Sequence, residues 1–501
     1  MGTGQPRQRA IAITAFDLPD SPRLLVHGCE DCACAVSTDE SHAVAWSPLA
    51  KPALDDPWVR GTDVFESALE GEYRLLFRPV GDGGVVVVDQ LGYQVYRQFD
   101  KPATLADVRA RVPHVHGDLD AVIDRLRRTA IIQPPGQIVK PSFGTSRTLT
   151  AWLHVSNACN LACPYCYVNK SAAGMDEGTG LAAVNAVISS ALVHGFPAVK
   201  LKYAGGEASL NKKLVLQLDA HARALATEHG LELHATLLSN GVALPQAFVE
   251  TLKAAGVRIM ISLDGVGLLH DAQRPFVNGK PSFRSVERTI SRLVKLGYPP
   301  HLSITITRRN AFGVADAVRF ALDRDLTFSL NFFRDNDCAS GSPDLRYTDI
   351  EMISGLLAAF TVIRERLPSW SVLGSILDRG QLLEPRQRPC GVGQDYVVVD
   401  HEGKVAKCHM EIERTLGDVF HDDPLQLVQQ DTRTTLNLLV DEKEGCRDCA
   451  WRYWCSGGCP VATFRATGRY DVKSPNCSIY RAIYPEALRL EGLRLLKYAA
   501  R

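Results

Sequence analysis

Beyond residue 147 the chain alternates β-rich runs with longer stretches of helical periodicity. The runs fall at about 148–155, 198–204, 232–238, 257–263, 301–307 and 326–333, with helices between them and a sixth helix at about 347–366. Strand and helix in strict alternation predict βα units and a parallel sheet, hence an α/β fold class. Upstream, residues 1–70 are poorly periodic and rich in Pro, Gly, Asp and Ser, which predicts an irregular N-terminal extension. The pattern sharpens over 71–140, with apolar strands at 73–78 and 84–89, a helical segment at 92–99, a helix capped by Thr104 and running through Val112, and a further helix over 119–128. Pro134-Pro135-Gly136 and Lys140-Pro141-Ser142 read as a linker. Residues 380–485 are cysteine-rich, and a tail at 486–501, rich in Leu, Arg and Ala, predicts a helix docked on the core.

Composition narrows the classes. With 501 residues and 46% apolar positions the chain buries a sizeable core in roughly two to four domains. Lys+Arg and Asp+Glu balance at 56 each, so no global field argues for nucleic acid or a membrane surface as partner. No apolar run is long enough to span a bilayer and no secretion pattern opens at Met1, so a cytoplasmic address is expected. In such a compartment 14 cysteines read as metal ligands rather than disulfides. Cys29, Cys32 and Cys34 stand beside two acids with no fourth ligand near, and read as free thiols.

Cys159, Cys163 and Cys166 form a C-x3-C-x2-C run with no His or further Cys near it. Fe–S clusters usually take four Cys, and structural zinc takes four closed ligands, so three thiolates leave one metal vertex free. With Tyr165 just before the last Cys, this stretch resembles the signature of the radical S-adenosylmethionine (SAM) enzymes. The resemblance implies a partial (β/α)6 barrel over 148–370 and a [4Fe–4S] cluster on Cys159, Cys163 and Cys166. Its open iron chelates SAM, whose reductive cleavage gives a 5′-deoxyadenosyl radical that abstracts a substrate hydrogen. These three cysteines and Glu207 are then the catalytic candidates.

In barrels of this kind the loops after the strand C-termini carry the site, and the cluster loop follows the first strand. The second strand ends in Gly205-Gly206-Glu207, which resembles the family's G-G-E motif. Glycines permit close backbone approach to a ligand and the carboxylate accepts from an α-ammonium, so these residues are expected at the methionine end of SAM. The third strand ends at Asn240-Gly241 and the fourth at Ser262-Leu263-Asp264-Gly265. Asn240 is expected to bond the ribose or carboxylate of SAM; Ser262 and Asp264 face either cofactor or substrate. His270, Asp271 and Arg274 follow, and a polar tip at 305–310 ends the fifth strand.

The last quarter holds Cys390, Cys408, Cys446, Cys449, Cys455, Cys459 and Cys477. Paired C-x2-C units are ordinary zinc ligands, but seven thiols exceed one zinc site. Their order resembles the SPASM domain of radical SAM enzymes, which implies two auxiliary [4Fe–4S] clusters and so three in all. By that resemblance Cys446, Cys449, Cys455 and Cys477 hold one cluster, and Cys390, Cys408 and Cys459 the other. The remaining place on the second is open, or is filled by Cys338 or an N-terminal Cys. His409 follows Cys408 where sulfatase-maturing relatives carry Asp, which argues against formylglycine formation. Trp451, Tyr453 and Trp454 between the cysteines read as packing residues.

The segment 71–140 resembles the winged-helix precursor-recognition element related to the small peptide chaperone of pyrroloquinoline quinone biosynthesis, on its pattern and on Asp89–Tyr93. That element captures a leader peptide by adding it as a strand to a sheet edge. The expected protein is therefore a peptide maturase that takes an electron from a flavodoxin- or ferredoxin-type donor and forms an intramolecular C–C, C–O or thioether crosslink. The alternatives are oxidation or epimerisation of a protein residue, modification of a small molecule, and a non-catalytic iron–sulfur or zinc scaffold or sensor.

Overall fold

The protein was described from a computed structural model, which places residues 11–14, 56–81, 84–113 and 119–499. Cys29, Cys32 and Cys34 lie outside the described residues. In chain order the N-terminal unit comprises β1 (Ala12–Ile13), β2 (Val59–Arg60), β3 (Phe65–Ala68), β4 (Arg74–Phe77), β5 (Val86–Val88), α1 (Gln90–Arg97), α2 (Leu105–Arg111), α3 (Leu119–Arg128) and β6 (Ile132–Gln133). One sheet runs in the order β1-β5-β4-β3, and β2 pairs with β6. After the exposed Arg74, β4 and β5 are apolar because both faces are covered. Leu76, Val86 and Val88 pack with Tyr96, Val108 and Leu126 of the three helices, whereas Leu75, Phe77 and Val87 join the main core.

The expectation of irregular structure up to residue 70 fails at β1, β2 and β3. In β3 the apolar alternation is masked by Glu66, whose carboxylate accepts from Arg60 Nη1 (3.2 Å), Tyr93 Oη (3.0 Å) and Tyr96 Oη (2.9 Å). A polar residue so satisfied occupies a position that pattern alone assigns to a loop.

Six parallel strands follow: β7 (Thr148–Ser156), β8 (Ala198–Gly205), β9 (Glu232–Ser239), β10 (Arg258–Ser262), β11 (His301–Ile306) and β12 (Phe328–Phe332). They are connected in spatial sequence, as the partial barrel requires. The layer over them includes α4 (Glu177–Val193), α5 (Lys212–His229), α6 (Gln246–Ala254), α7 (Phe283–Lys295), α8 (Val314–Leu322) and α9 (Asp349–Glu365). Asp176 caps α4 by accepting from Thr179 N, Gly230 closes α5 in the left-handed region, and Thr348 with Glu351 forms a capping box on α9. Period-two alternation divides the strands: Leu149, Ala151, Leu153 and Val155 of β7, with Val199, Leu201 and Tyr203 of β8, join the core under the helices. The intervening positions put buried polar side chains, among them Thr150, His154, Lys200, Lys202 and Thr236, on the inner face.

The sheet does not stop at β7. β13 (Tyr396–Val399) pairs in parallel with it, Tyr396 opposite Thr150, and β14 (Lys404–Ala406) and β15 (Thr415–Asp418) continue antiparallel. Nine strands therefore share one sheet among the described residues. The chain ends in α10 (Cys477–Ala499), which starts earlier than the expected 486–501 and carries Pro485 within it. Among the described residues no helix is long and apolar enough to cross a membrane.

Trp451 and Trp454 bind the N-terminal sheet to this C-terminal region. Phe77 of β4 stacks on Trp451 (6.0 Å) and meets Trp454 at 5.0 Å, while Trp454 Nε1 donates to the Pro79 carbonyl at 2.5 Å. Trp454 is fully buried. Trp454→Ala is expected to cost about 3–5 kcal/mol through the cavity it leaves, and denaturation followed by circular dichroism checks this; an unchanged midpoint would refute the packing role.

Candidate active site

The C-terminal ends of the parallel strands surround a cavity of about 230 Å³. The loop leaving β7 supplies Cys159, Cys163 and Cys166, all free thiols, and all three line the cavity with Tyr165. This loop is fixed by main-chain bonds: Asn157 N donates to Ala173 O (2.9 Å), Ala162 N to Pro275 O (2.8 Å), and Val277 N to Asn160 O (3.1 Å). Lys170 Nζ holds the Leu161 carbonyl at 2.8 Å. Burial pushes the Cys159 thiol up and the Cys163 thiol up to about 12, so either thiol releases a proton when it binds metal.

Glu207 follows β8 and is buried. Its Oε1 accepts from Ser209 N (3.1 Å) and Ser239 Oγ (2.8 Å), and its Oε2 from Asn240 N (2.6 Å). Burial raises its pKa against the opposing effect of these donors. Glu207 N donates to Ala158 O at 2.8 Å, so one residue fastens the cluster loop to the ends of β8 and β9. The two glycines before it serve the same junction. A Cβ on Gly205 would lie 2.2 Å from Ser156 O, and one on Gly206 2.5 Å from Ala158 O. Close approach to the loop after β7 therefore excludes a side chain at both positions. Gly205, Gly206, Glu207, Asn240 and Ser262 all face the cavity. Asn240 Nδ2 donates to Asn160 Oδ1 at 2.7 Å and lies 3.8 Å from Cys159 Sγ.

Asp264 departs from the expectation of cofactor or substrate contact. It is 1% exposed and lies behind the wall, where it receives the Tyr165 hydroxyl, Arg274 Nε (2.7 Å) and Thr305 N (2.8 Å). Tyr165 and Arg274 line the cavity in its place, the guanidinium 5.3 Å from the tyrosine ring. Asp271 Oδ1 accepts from Ser282 N and Phe283 N at the start of α7, and the Asn310 side chain bonds Asp264 O, Thr305 O and Thr307 N, so both order loops.

Further lining comes from Arg334 and Arg379, which motif spacing did not single out, and from His409. Arg334, two residues past β12, pairs with Asp378 (2.7 Å) inside the protein; Arg379 lies beside it. His409 stacks on Trp152 of β7 at 4.6 Å, and the Tyr396 hydroxyl lies 3.0 Å from its Nδ1. Burial holds this imidazole neutral, well below its ordinary pKa. Arg334 sits at a strand end, a signal that the barrel rule supplies.

His409 directly follows Cys408, which is buried in one apolar cluster with Cys390 and Cys459. Burial pushes the Cys459 thiol up, but the guanidinium groups of Arg334 and Arg379 overcome that and hold it below the usual thiol range. Cys446, Cys449, Cys455 and Cys477 form a second set, within mutual electrostatic reach. Lys443, 1% exposed, stands between the sets and feels Cys446 and Cys455 on one side, Cys390 and Cys459 on the other. Among the described residues no three His, Cys, Asp or Glu side chains converge as ligands of one ion. Cys338 is exposed, its Sγ 3.5 Å from the Tyr167 carbonyl, and is not grouped with either set.

Residues 153–310 match the family model described as the Radical SAM superfamily. The chain is similar to an uncharacterized protein of Methanocaldococcus jannaschii, 27% identical over 34% of this chain and 57% of that protein. It is similar to the PqqA peptide cyclase of Xanthomonas euvesicatoria pv. vesicatoria, 23% identical over 66% of this chain and 87% of that enzyme. With the sporulation killing factor maturation protein SkfB of Bacillus subtilis it shares 30% identity over 36% of this chain, and spans 41% of that protein. Among solved structures, anSMEcpe with bound AdoMet and a peptide superposes at a TM-score of 0.56, with 19% identity, over 70% of this chain and 99% of that one. This likeness supports the fold.

Two outcomes follow for the free protein. Burial holds His154 and His270 at about 4, whereas an unfolded histidine protonates near ~6.5. Between those values the unfolded chain binds more protons, so stability falls as pH drops through that window. Urea midpoints are expected to decline from neutral pH toward the folded-state value, and replacing both by Gln is expected to flatten the decline; equal slopes would refute the assignment. Separately, Asp264→Asn leaves Arg274 buried without its carboxylate and is expected to cost about 3–5 kcal/mol, read from the denaturation midpoint.

Proposed function

We propose that the protein is a radical SAM maturase that modifies a ribosomally synthesised precursor peptide, leaving an intramolecular C–C, C–O or thioether crosslink. One observation carries the reading: a single cavity is lined by Cys159, Cys163 and Cys166 together with His409, next in sequence to a buried auxiliary thiol. A [4Fe–4S] cluster with SAM bound there supplies one-electron cleavage of the sulfonium and a 5′-deoxyadenosyl radical.

The chain's own residues hold and shield. Cys159, Cys163 and Cys166 are the ligands, and the bonded loop 157–168 keeps their spacing. Glu207, already fixed by three donors, presents its remaining acceptor capacity to the SAM ammonium, with Gly205, Gly206, Asn240 and Ser262 beside it. Asp264 acts through Tyr165 and Arg274. In this reading Cys446, Cys449, Cys455 and Cys477 would hold one auxiliary cluster and Cys390, Cys408 and Cys459 another, and such clusters would supply an acceptor for the electron that a crosslink releases. The peptide assignment draws support from relatives named for a peptide cyclase and for maturation of a sporulation killing factor. The N-terminal sheet with α1, α2 and α3 then serves as a leader-recognition element that works by strand addition. A flavodoxin- or ferredoxin-type protein supplies the first electron, and a reducing cytoplasm suits the free thiols.

Anaerobic reconstitution tests this. About twelve irons per chain are expected, with 5′-deoxyadenosine on reduction and a loss of about two mass units from a precursor encoded beside the gene, since a crosslink removes two hydrogens. Glu207→Gln should retain iron yet cleave SAM at least about tenfold more slowly, a loss of roughly 1.4 kcal/mol or more. Bound zinc with no 5′-deoxyadenosine would overturn the enzyme assignment, and an epimerised product of unchanged mass would overturn the crosslink.

A further inference from the structure

A second cavity, of about 350 Å³, lies at the opposite ends of the strands from the cysteine loop. Ser146 stands just before β7, Phe196 just before β8 and Asp395 directly before β13, and all three line it. Cys390 lines it as well, but no residue is common to this cavity and the one that holds Cys159, Cys163 and Cys166.

The segment 384–391, which forms much of the lining, is neither helix nor strand, since Pro385 and Pro389 remove backbone donors from it. It carries two guanidinium groups. Arg386 is committed to the fold: its Nη1 donates to Pro389 O (3.3 Å) and its Nη2 to Arg379 O (2.8 Å). Arg388 is half-buried and donates through Nε alone, to Asn437 O at 2.8 Å. The acid whose charge it feels, Glu442, accepts instead from Leu439 N at 2.8 Å. Among the described residues Arg388 therefore has no carboxylate in an ion pair, and its two terminal nitrogens form the planar fork that a carboxylate fits.

Asp395 supplies the opposite charge. It is 5% exposed and its carboxylate lies over Gly391, where a Cβ would come 1.9 Å from Oδ1. The backbone of Gly391 is not left-handed, so room for that carboxylate is what calls for glycine. Ser146 donates to Asp395, yet burial outweighs the bond and raises the carboxyl to about 6. A cationic donor placed beside it offsets that cost. Phe143, set edge-on to Tyr453 at 5.0 Å, and Phe196 add apolar surface to the same cavity.

We propose that this cavity is a second ligand site, for a free α-amino acid with an apolar side chain, whose carboxylate meets Arg388 and whose ammonium meets Asp395. One unmatched cation and one buried carboxyl in a small space fit a zwitterion, and the carboxyl disfavours a phosphate by like charge. Phe143 and Ser146 belong to the linker between the N-terminal unit and the barrel, whereas Arg388 and Asp395 lead into β13. A bound amino acid thus braces the linker against the sheet, and acts as an effector because the cavity of the cysteine loop is separate. The inference does not depend on the radical SAM reading.

The test is calorimetric titration of the reconstituted full-length protein, without SAM, with L-phenylalanine as probe. Saturable binding of one molecule per chain is expected. N-acetyl-L-phenylalanine lacks the ammonium and L-phenylalaninamide the carboxylate, so each should bind about tenfold or more weaker. Arg388→Met should weaken L-phenylalanine by about tenfold or more and leave the amide unchanged, a pattern that misfolding does not produce. Hydrogen exchange at the Thr145 and Ser146 amides should slow when L-phenylalanine is present, a readout that needs no variant. No binding up to about 10 mM, equal binding of the three compounds, insensitivity to Arg388→Met or unchanged exchange would overturn the proposal. Displacement by excess S-adenosylhomocysteine would also overturn it, by assigning the probe to the other cavity.

Discussion

One buried carboxylate sets the geometry of the cavity. Glu207 accepts from the β9 terminus through Ser239 and Asn240 and from Ser209 on its own loop, and its amide holds Ala158 of the cluster loop. Three donors offset the cost of placing this group in the interior. The same contacts stop the loop after β7 from drifting relative to its neighbours, and Gly205 and Gly206 let the backbones meet. Spacing between Cys159, Cys163 and Cys166 is thereby a property of the sheet, not only of the loop that carries them. A second carboxylate, Asp264, holds the same loop further along by fixing Tyr165, and fixes Arg274 with it.

The chemistry-bearing residues were legible to the degree that their spacing is local. Cys159, Cys163 and Cys166 sit within one loop, and Gly205, Asn240 and Ser262 sit at strand ends, so the βα pattern alone assigns them to one rim. Asp264 shares that rim by sequence but turns inward, because Arg274 ten residues on offers an ion pair out of solvent. Nothing in the spacing foretold it. Arg334, Arg379 and His409 come from separate elements, and only the folded chain brings them to one cavity. Among the elements, β3 was hidden by a charged residue whose partners lie in α1.

Lys443 gives the cysteine-rich region a shared electrostatic centre. Its amine donates to Ser456 O at 3.3 Å and stands among thiols of both sets, whose negative charge opposes the burial that lowers its pKa. Trp454, one position before Cys455, meanwhile anchors the N-terminal sheet through Pro79. The element read as capturing peptide and the cysteines read as accepting electrons are therefore packed directly together.

The pairing of β13 with β7 bears on how the chain reaches this state. β7 is the first strand of the parallel series, yet its second neighbour is synthesised only after every other strand of that series is complete. Until Tyr396 arrives opposite Thr150, the strand that launches the cysteine loop presents an unpaired edge, the kind of surface on which chains aggregate. A contact of such long sequence separation is slow to form because a large loop must close first. The edge of the strand that launches the cysteine loop is thus covered only by a strand from beyond the parallel series.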